Sequence, residues 1–392
     1  NTIGDGKGNS RVFHVGLGDT VKMVGIKIQN GQLEGSNCPQ DCGAGILNFG
    51  VLNLDRVAIV NNTVEDTIIV AFGGGLGPGG GGLYNNGGDV EIKNSCFIKN
   101  EALNNHNYQH ADGAAIYNLN GNVELYNSLF YQNDADDDGA AVYNIGTSGQ
   151  GLVSMNEVEI KDNLAGNHGA IFNHLSNTVI RIDNSTISGN SGIGAGAIFN
   201  NGSVFINKTE IVGNSGVQGG AIFNSSSTLE ITNSILSGNL STDEGGAIFN
   251  QGFLSATPVV LKNSTLSGNK SGKSGGAIYN NNLGVSTTID MTNTIIALNI
   301  DDGSGPDIYK ASGTVIDRGG NLISNITSVE SELDTSTLLG SALNPLDPLF
   351  IMDVDTFSLP NISGNLRLDC QSQAIEAGNI DTAGLGLGLI DL

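Results

Sequence analysis

The segment Asp134-Ala-Asp-Asp-Asp-Gly139 sets carboxylates at 134, 136 and 138 and a glycine directly after the last. Alternate oxygen donors ahead of a tight turn form the first half of a calcium loop, in which carboxylate and carbonyl oxygens converge on a hard cation. The glutamate that closes an EF-hand at its twelfth position has no counterpart, because position 145 is Ile. Asp134, Asp136 and Asp138 are therefore the candidate calcium ligands, and calcium is the one cofactor these residues suggest. His106, His110 and Asp112 upstream, and Asn167 and His168 downstream, fall at the same place in neighbouring repeats, so stacking would bring them to one edge. The histidines there add a transition metal as an alternative. The plainer reading is an acidic, solvated turn, and Asp243-Glu244, Asp301-Asp302 and Asp307 read as solvent-facing turns of the same kind.

The elements that must position these groups are announced by a recurring phrase. Gly-Gly-Ala-Ile-Phe-Asn occurs at 219–224 and 245–250, with Tyr for Phe at 275–280 and shorter forms ending at Asn173 and Asn200. The closing asparagines are 24 to 33 residues apart, the length of one turn of a solenoid. A second column places an apolar residue three positions before an asparagine, as in Phe97 and Asn100, Phe130 and Asn133, or Leu236 and Asn239. A third comprises Asn94, Asn127, Asn184, Asn233, Asn263 and Asn293, slipping by one to Asn156 and Asn207. Between the columns run short alternations such as Val90, Ile92, Asn94, the period of a strand.

About three short strands per repeat, returning in one direction, must pair in parallel with coils about 4.8 Å apart. The expected fold is all-β, a right-handed parallel β-helix of 24–33 residues per coil, its hand following the general crossover rule. Like residues then lie over like. Asn173, Asn200, Asn224, Asn250 and Asn280 become a structural ladder in which each amide bonds the next coil. The Asn-X-Ser/Thr triplets at Asn184, Asn207 and Asn263 read as part of such ladders rather than as glycosylation sites.

The aromatic that precedes each closing asparagine forms a column through Tyr84, Tyr117, Tyr143, Phe172, Phe199, Phe223, Phe249 and Tyr279. Alternation along a strand turns these rings opposite to the inward Ile and Asn. Stacked rings would make a contact stripe of roughly 34 Å at about 4.8 Å per coil. The competing readings place the rings in the core or under flanking loops.

A net charge of −23 argues against nucleic acid and against an anionic membrane surface as partners. No stretch approaches the length of an apolar membrane helix, so no membrane insertion is expected of this segment. Cys38 and Cys42 bracket a short turn and could close a local disulfide in an oxidising exterior; Cys96 and Cys370 are unassigned. The chain opens at Asn1 already in strand-like sequence and reads as a mature or partial chain. Three zones are expected: irregular opening coils at 1–50, regular coils at 51–313 interrupted by the glycine run 73–82, and a C-terminal cap with long loops at 314–392.

The Gly-Gly-Ala-Ile phrase, with Phe97-Ile-Lys-Asn100 and Phe130-Tyr-Gln-Asn133, resembles the repeat pair of chlamydial polymorphic outer membrane proteins. Arg11-Val-Phe, Gly305-Pro-Asp307, Gly319-Gly-Asn-Leu-Ile323, Asp347-Pro-Leu-Phe350 and Ala374-Ile-Glu-Ala-Gly378 are similar to secreted bacterial β-helix proteins of the CSLREA type. The resemblance implies an extracellular or cell-surface β-helix, frequently adhesive. The expected function is a non-catalytic structural or adhesive surface protein whose partner is a host or matrix receptor or glycan. One alternative is a self-associating fibre or surface-layer subunit. The other is a polysaccharide lyase or hydrolase, against which stand the scattered arginines, the absence of Trp and the lack of Gly-His-Gly or Asn-Thr-Asp phrases.

Overall fold

The computed structural model describes residues 2–5, 10–35, 38–66, 79–104, 110–225, 227–252, 257–303, 305–325, 329, 333, 337–340, 345–352, 360, 365–368 and 371–374. The expectations placed on His106, Cys370, residues 73–78 of the glycine run and 375–378 of the Ala374 phrase lie outside them. Two compact units are present, Asn1–Phe205 and Ile206–Leu392. Each is a stack of parallel strands in the manner of a β-helix.

In the first unit a representative coil consists of Leu83–Asn86, Asp89–Lys93, Cys96–Ile98 and Glu101–Asn104. The next coil repeats it in register, Leu83 opposite Ile116, Val90 opposite Val123, Phe97 opposite Phe130 and Glu101 opposite Asp134. A fourth short strand thus joins the three expected. Its alternation turns Ala102, Ala135 and Ala165 inward, where they pack with Ala111, Ala114 and Ala140 in a small secondary core. The main core is built by the longer strands, whose inward residues Val90, Ile92, Val123, Leu125, Ile180 and Ile182 are all buried. Burial of each such side chain is worth about 1.5–3 kcal/mol.

The second unit follows the same plan, with Ile222, Ile248 and Ile278 in line. Toward its C-terminal end Ile295, Ala297, Leu322, Phe350 and Ala374 form a separate apolar cluster beside the antiparallel pair Phe350–Met352 and Asn365–Leu368. Both glycines of the corner are needed. Gly245 sits at φ 69°, and a Cβ there would strike the Ile248 carbonyl. Gly246 approaches the next coil so closely that its Cβ would meet the Gly276 carbonyl.

Buried asparagines hold the coils in register. In the first unit Asn48, Asn85, Asn118, Asn144, Asn173 and Asn200 form a chain in which each Nδ2 donates to the next Oδ1 at 2.7 to 3.1 Å. In the second, Asn224 donates to Asn250 at 2.9 Å, Asn250 to Asn280 at 2.8 Å, and Asn280 to the Ser312 carbonyl at 2.9 Å. The other column, Asn62, Asn100, Asn133, Asn163 and Asn190, is more fully engaged. Asn133 Oδ1 accepts from both the backbone N and Nδ2 of Asn100, each at 3.0 Å, while its own Nδ2 donates to the Phe97 carbonyl at 3.0 Å and to Asn163 Oδ1 at 2.9 Å.

The matching column of the second unit runs from Asn214 through Asn239 and Asn269 to Asn299, and ends on a carboxylate. Asn299 Nδ2 donates to Asp307 Oδ1 at 2.9 Å, and Ser324 Oγ and the Asn325 N–H donate to Oδ2 at 2.7 and 2.6 Å. Asp307 is therefore no solvent-facing turn residue. It is fully buried, and burial, opposed by these donors, raises its pKa to about 6.

Beside the asparagines runs a hydroxyl ladder. Ser95, Ser128, Ser185, Thr209, Ser234 and Ser264 each donate to the carbonyl two residues back. Five of them accept a neighbouring coil's N–H, as Ser128 does from Ser95 N at 3.2 Å. The third asparagine column also bonds coil to coil, Asn127 to Asn94, Asn184 to Asn156 and Asn233 to Asn207, but it runs from exposed positions in the first unit to a buried one at Asn293. Asn94, Asn127 and Asn184 are exposed in the left-handed region at φ 52°, 44° and 48°, turning the chain while bonding one another's neighbours at the surface.

Asn133→Ala should lower the unfolding free energy of the first unit by about 2–4 kcal/mol, since each stranded buried polar group costs about 1–3 kcal/mol. Asn127→Gly, which keeps the left-handed turn accessible, should cost less than about 1 kcal/mol; denaturant titration of both variants measures the contrast. For Asp307 the folded pKa lies above the ordinary value of 3.8, so its contribution to stability is fullest below about pH 4 and is lost as pH rises through about 6. Asp307→Asn should flatten that decline, which amounts to about 3 kcal/mol for two pKa units, in melts of the second unit recorded from pH 4 to pH 7.

Candidate metal centre

The corner loops of three successive coils in the first unit meet at one edge. Each loop ends at a left-handed glycine, Gly113, Gly139 or Gly169, with His110-Ala-Asp112, Asp137-Asp138 and Asn167-His168 immediately before it. Backbone bonds stack the loops: Gly113 N to Asp138 O at 2.9 Å, Gly139 N to His168 O at 3.1 Å and Asn167 N to Asp137 O at 2.8 Å. Side chains continue the stacking. The Asp138 N–H donates to Asp112 Oδ1 at 3.2 Å, and the His168 N–H to Asp138 Oδ1 at 3.0 Å.

Within this stack, one nitrogen of His110 and one oxygen each of Asp112, Asp137 and Asp138 all lie within 4.8 Å of one another. Asp112 and Asp138 are only 3% and 5% exposed, whereas His110 is open to solvent. His110 Nδ1 is 2.5 Å from Asp137 Oδ2, and His168 Nδ1 is 2.7 Å from Asp138 Oδ1. At an effective dielectric of about 20, two unit charges at the 4.8 Å limit repel by about 3–4 kcal/mol. Burial, then the charges of Asp138 and Asp137, pushes the Asp112 carboxyl well above the usual range. Burial also raises Asp138, against the His168 hydrogen bond that lowers it. The hydrogen bond to Asp137 lifts His110 to about 9. This donor set of carboxylate oxygens and an imidazole nitrogen fits a divalent cation.

Of the three expected calcium ligands, only Asp138 belongs to this group. Asp134-Ala135 continues as a strand, so alternation turns Ala135 inward and leaves Asp134 on the outer side, in register between Glu101 and Leu164. Asp136 is exposed and accepts the Asn104 N–H at 2.7 Å. The member of the group that the alternation missed is Asp137, whose signal was its place directly before Asp138 and the corner glycine. His110, Asp112, Asn167 and His168 do share one edge, as stacking requires.

The aromatic column forms the floor of the site and is not an exposed stripe. Tyr84, Tyr117, Tyr143, Phe172 and Phe199 stack at centroid separations of 4.7 to 5.2 Å and are buried. In the second unit Phe223 and Phe249 are likewise buried, while Tyr279 and Tyr309 are half-buried. The corner loops fold over the rings: Gly79 lies against the ring of Tyr117. His168 adds its own ring over Phe172 and Phe199, at 5.4 and 4.1 Å. Tyr143 Oη is 2.7 Å from His174 Nδ1, whereas the buried Tyr117 hydroxyl has no partner among the described residues.

Elsewhere, Cys38 and Cys42 are joined, their Cα atoms 5.3 Å apart, and Cys96 is a half-buried free thiol. Asp243 and Glu244 are partly buried rather than solvent-facing and pair with Lys273 of the following coil. No helix among the described residues is long and apolar enough to cross a membrane.

Residues 233–251 and 263–281 match the Chlamydia polymorphic membrane protein repeat. Each matched segment begins at an outer-turn asparagine, Asn233 or Asn263, and runs through the hydroxyl ladder and the inner column to the closing asparagine, so the match follows the ladders. No curated protein and no solved structure matches the chain. The fold and the repeat together define a β-helix repeat protein similar to the chlamydial polymorphic membrane proteins.

In chelator-treated protein near pH 8, Asp112→Asn should raise the stability of the first unit by about 1–3 kcal/mol. Asparagine keeps an acceptor for the Asp138 N–H while removing a buried like charge. A thermal melt against the parent chain checks this.

Proposed function

We propose that this chain is a non-catalytic cell-surface β-helix that acts in adhesion, holding a variable outer face on an invariant interior. The observation that carries this reading is the contrast between inward and outward rows of the same strands. Inward, the same strands carry a row that is aliphatic and buried throughout, Leu52, Val90, Val123, Val153 and Ile180. Outward, one row of the first unit reads Lys22, Asn53, Glu91, Glu124, Ser154 and Arg181 in strict register. Positions that hold the fold are constrained by the ladder, and those facing solvent are free to suit a partner.

The match to a chlamydial membrane-protein repeat supports an outer-membrane or extracellular setting. A formal charge of −23 favours a partner with basic or neutral character over nucleic acid or an anionic bilayer. The partner class is a host or matrix surface receptor or a glycan.

Binding of the labelled full chain to host cells, matrix proteins and a glycan array tests the reading. Saturable binding that survives replacement of inner-row residues by isosteres, and falls when the row from Glu91 to Arg181 is recoloured by charge, is expected. Depolymerisation of a glycan by the chain, or an absence of binding to every surface, would contradict it.

A further inference from the structure

We propose that His110, Asp112, Asp137 and Asp138 bind one divalent transition cation of the zinc type, which ties two successive coils together at the corner edge of the first unit. His168 acts as a positioning residue behind Asp138. The inference stands apart from the adhesive reading, because residues 110–138 lie outside the matched repeat segments.

Four donors of the right kinds are already gathered. Ligand atoms around a tetrahedral zinc are about 3.4 Å apart, given metal–ligand bonds of about 2.1 Å. The observed set, none separated by more than 4.8 Å, needs only side-chain adjustment to reach this. The nitrogen decides the cation class: calcium and magnesium take oxygen, whereas imidazole with carboxylate suits zinc and its neighbours. A cation would take the place of the hydrogen bond between His110 Nδ1 and Asp137 Oδ2. Asp138 is held by the His168 ring and N–H, the outer support that ligating carboxylates ordinarily have.

Two independent features point to something bound at this edge. The first is the Tyr117 hydroxyl, wholly buried and without a partner among the described residues. Its ring packs against Gly79 beside the Asp112 carbonyl, next to one of the four proposed ligands. The second is an internal comparison. Asp243-Glu244-Gly245 occupies in the second unit the corner position that Asp137-Asp138-Gly139 occupies in the first, and there the following coil supplies Lys273 to both carboxylates. At the corresponding position the first unit has Asn167, which carries no charge. The same corner is thus neutralised by a lysine in one unit and left to the His110–Asp cluster in the other.

The test is titration of the chelator-stripped full chain with Zn²⁺ in competition with a chromophoric chelator. One equivalent should bind, and His110→Ala and Asp137→Asn should each weaken binding at least about tenfold. Both side chains are at or near the surface, so far-ultraviolet dichroism should show the fold retained. Asp134→Asn and Asp136→Asn should leave affinity unchanged. Co²⁺ in place of zinc should give d–d bands without a thiolate charge-transfer band, excluding Cys96 as a ligand. The proposal is overturned by an absence of stoichiometric binding, by equal affinity in the His110 and Asp137 variants, by a thiolate band, or by Ca²⁺ displacing Zn²⁺ at equal concentration.

Discussion

The carboxamide of a buried asparagine is the constraint on which the rest of the structure depends. It offers two donors and an oxygen that accepts twice, and inside a stack of coils each must find a partner without water. Asn100, Asn133 and Asn163 solve this by bonding up, down and to the backbone at once. The solution exists only when equivalent residues superpose, so the amides fix register along the stack as well as contributing to its stability. A coil that slipped by one residue would strand a full set of buried polar groups and turn its aliphatic rows outward. Serine and threonine hydroxyls beside the asparagines impose the same condition.

Most of this was legible in the residues because the repeat spells it out. Glycine corners, aliphatic rows and the two inner asparagine columns recur with a period that only a parallel stack accommodates. What periodicity could not supply was the environment outside the strand. The aromatic column read as an exposed stripe or as rings under flanking loops; Tyr117 and Phe172 are buried, with Gly79 and His168 against them, and loop paths leave no periodic trace that could have decided it. The third asparagine column does form a ladder, yet Asn94 and Asn184 are exposed, because they recur where the chain makes left-handed turns. Asp307 looked like one more acidic turn residue, and only the path of the chain reveals it as the acceptor that ends a ladder.

The His110–Asp cluster shows how stacking turns sequence-distant groups into a site. No linear motif joins His110, Asp112, Asp137 and Asp138, and the alternating carboxylates that suggested a calcium loop were divided by the strand at Asp134-Ala135. The edge itself was predictable, because residues just before equivalent corner glycines must lie over one another. Which of them converge depends on side-chain direction at the corner, where strand alternation no longer applies. The interior is thus bound to its repeat, while corners and outer rows are free to carry charge, ligands or contact surfaces.

Native-state hydrogen exchange at the Asn133 backbone amide tests the ladder most directly, because that N–H bonds to the Asn163 side chain at 3.0 Å and, among the described residues, to no main-chain acceptor. In Asn163→Ala, protection at Asn133 should fall at least about tenfold, a loss of about 1.4 kcal/mol or more, while the neighbouring strand amides of Leu129–Tyr131 stay protected. Unchanged protection at Asn133, or an equal loss along the whole strand, would contradict the account.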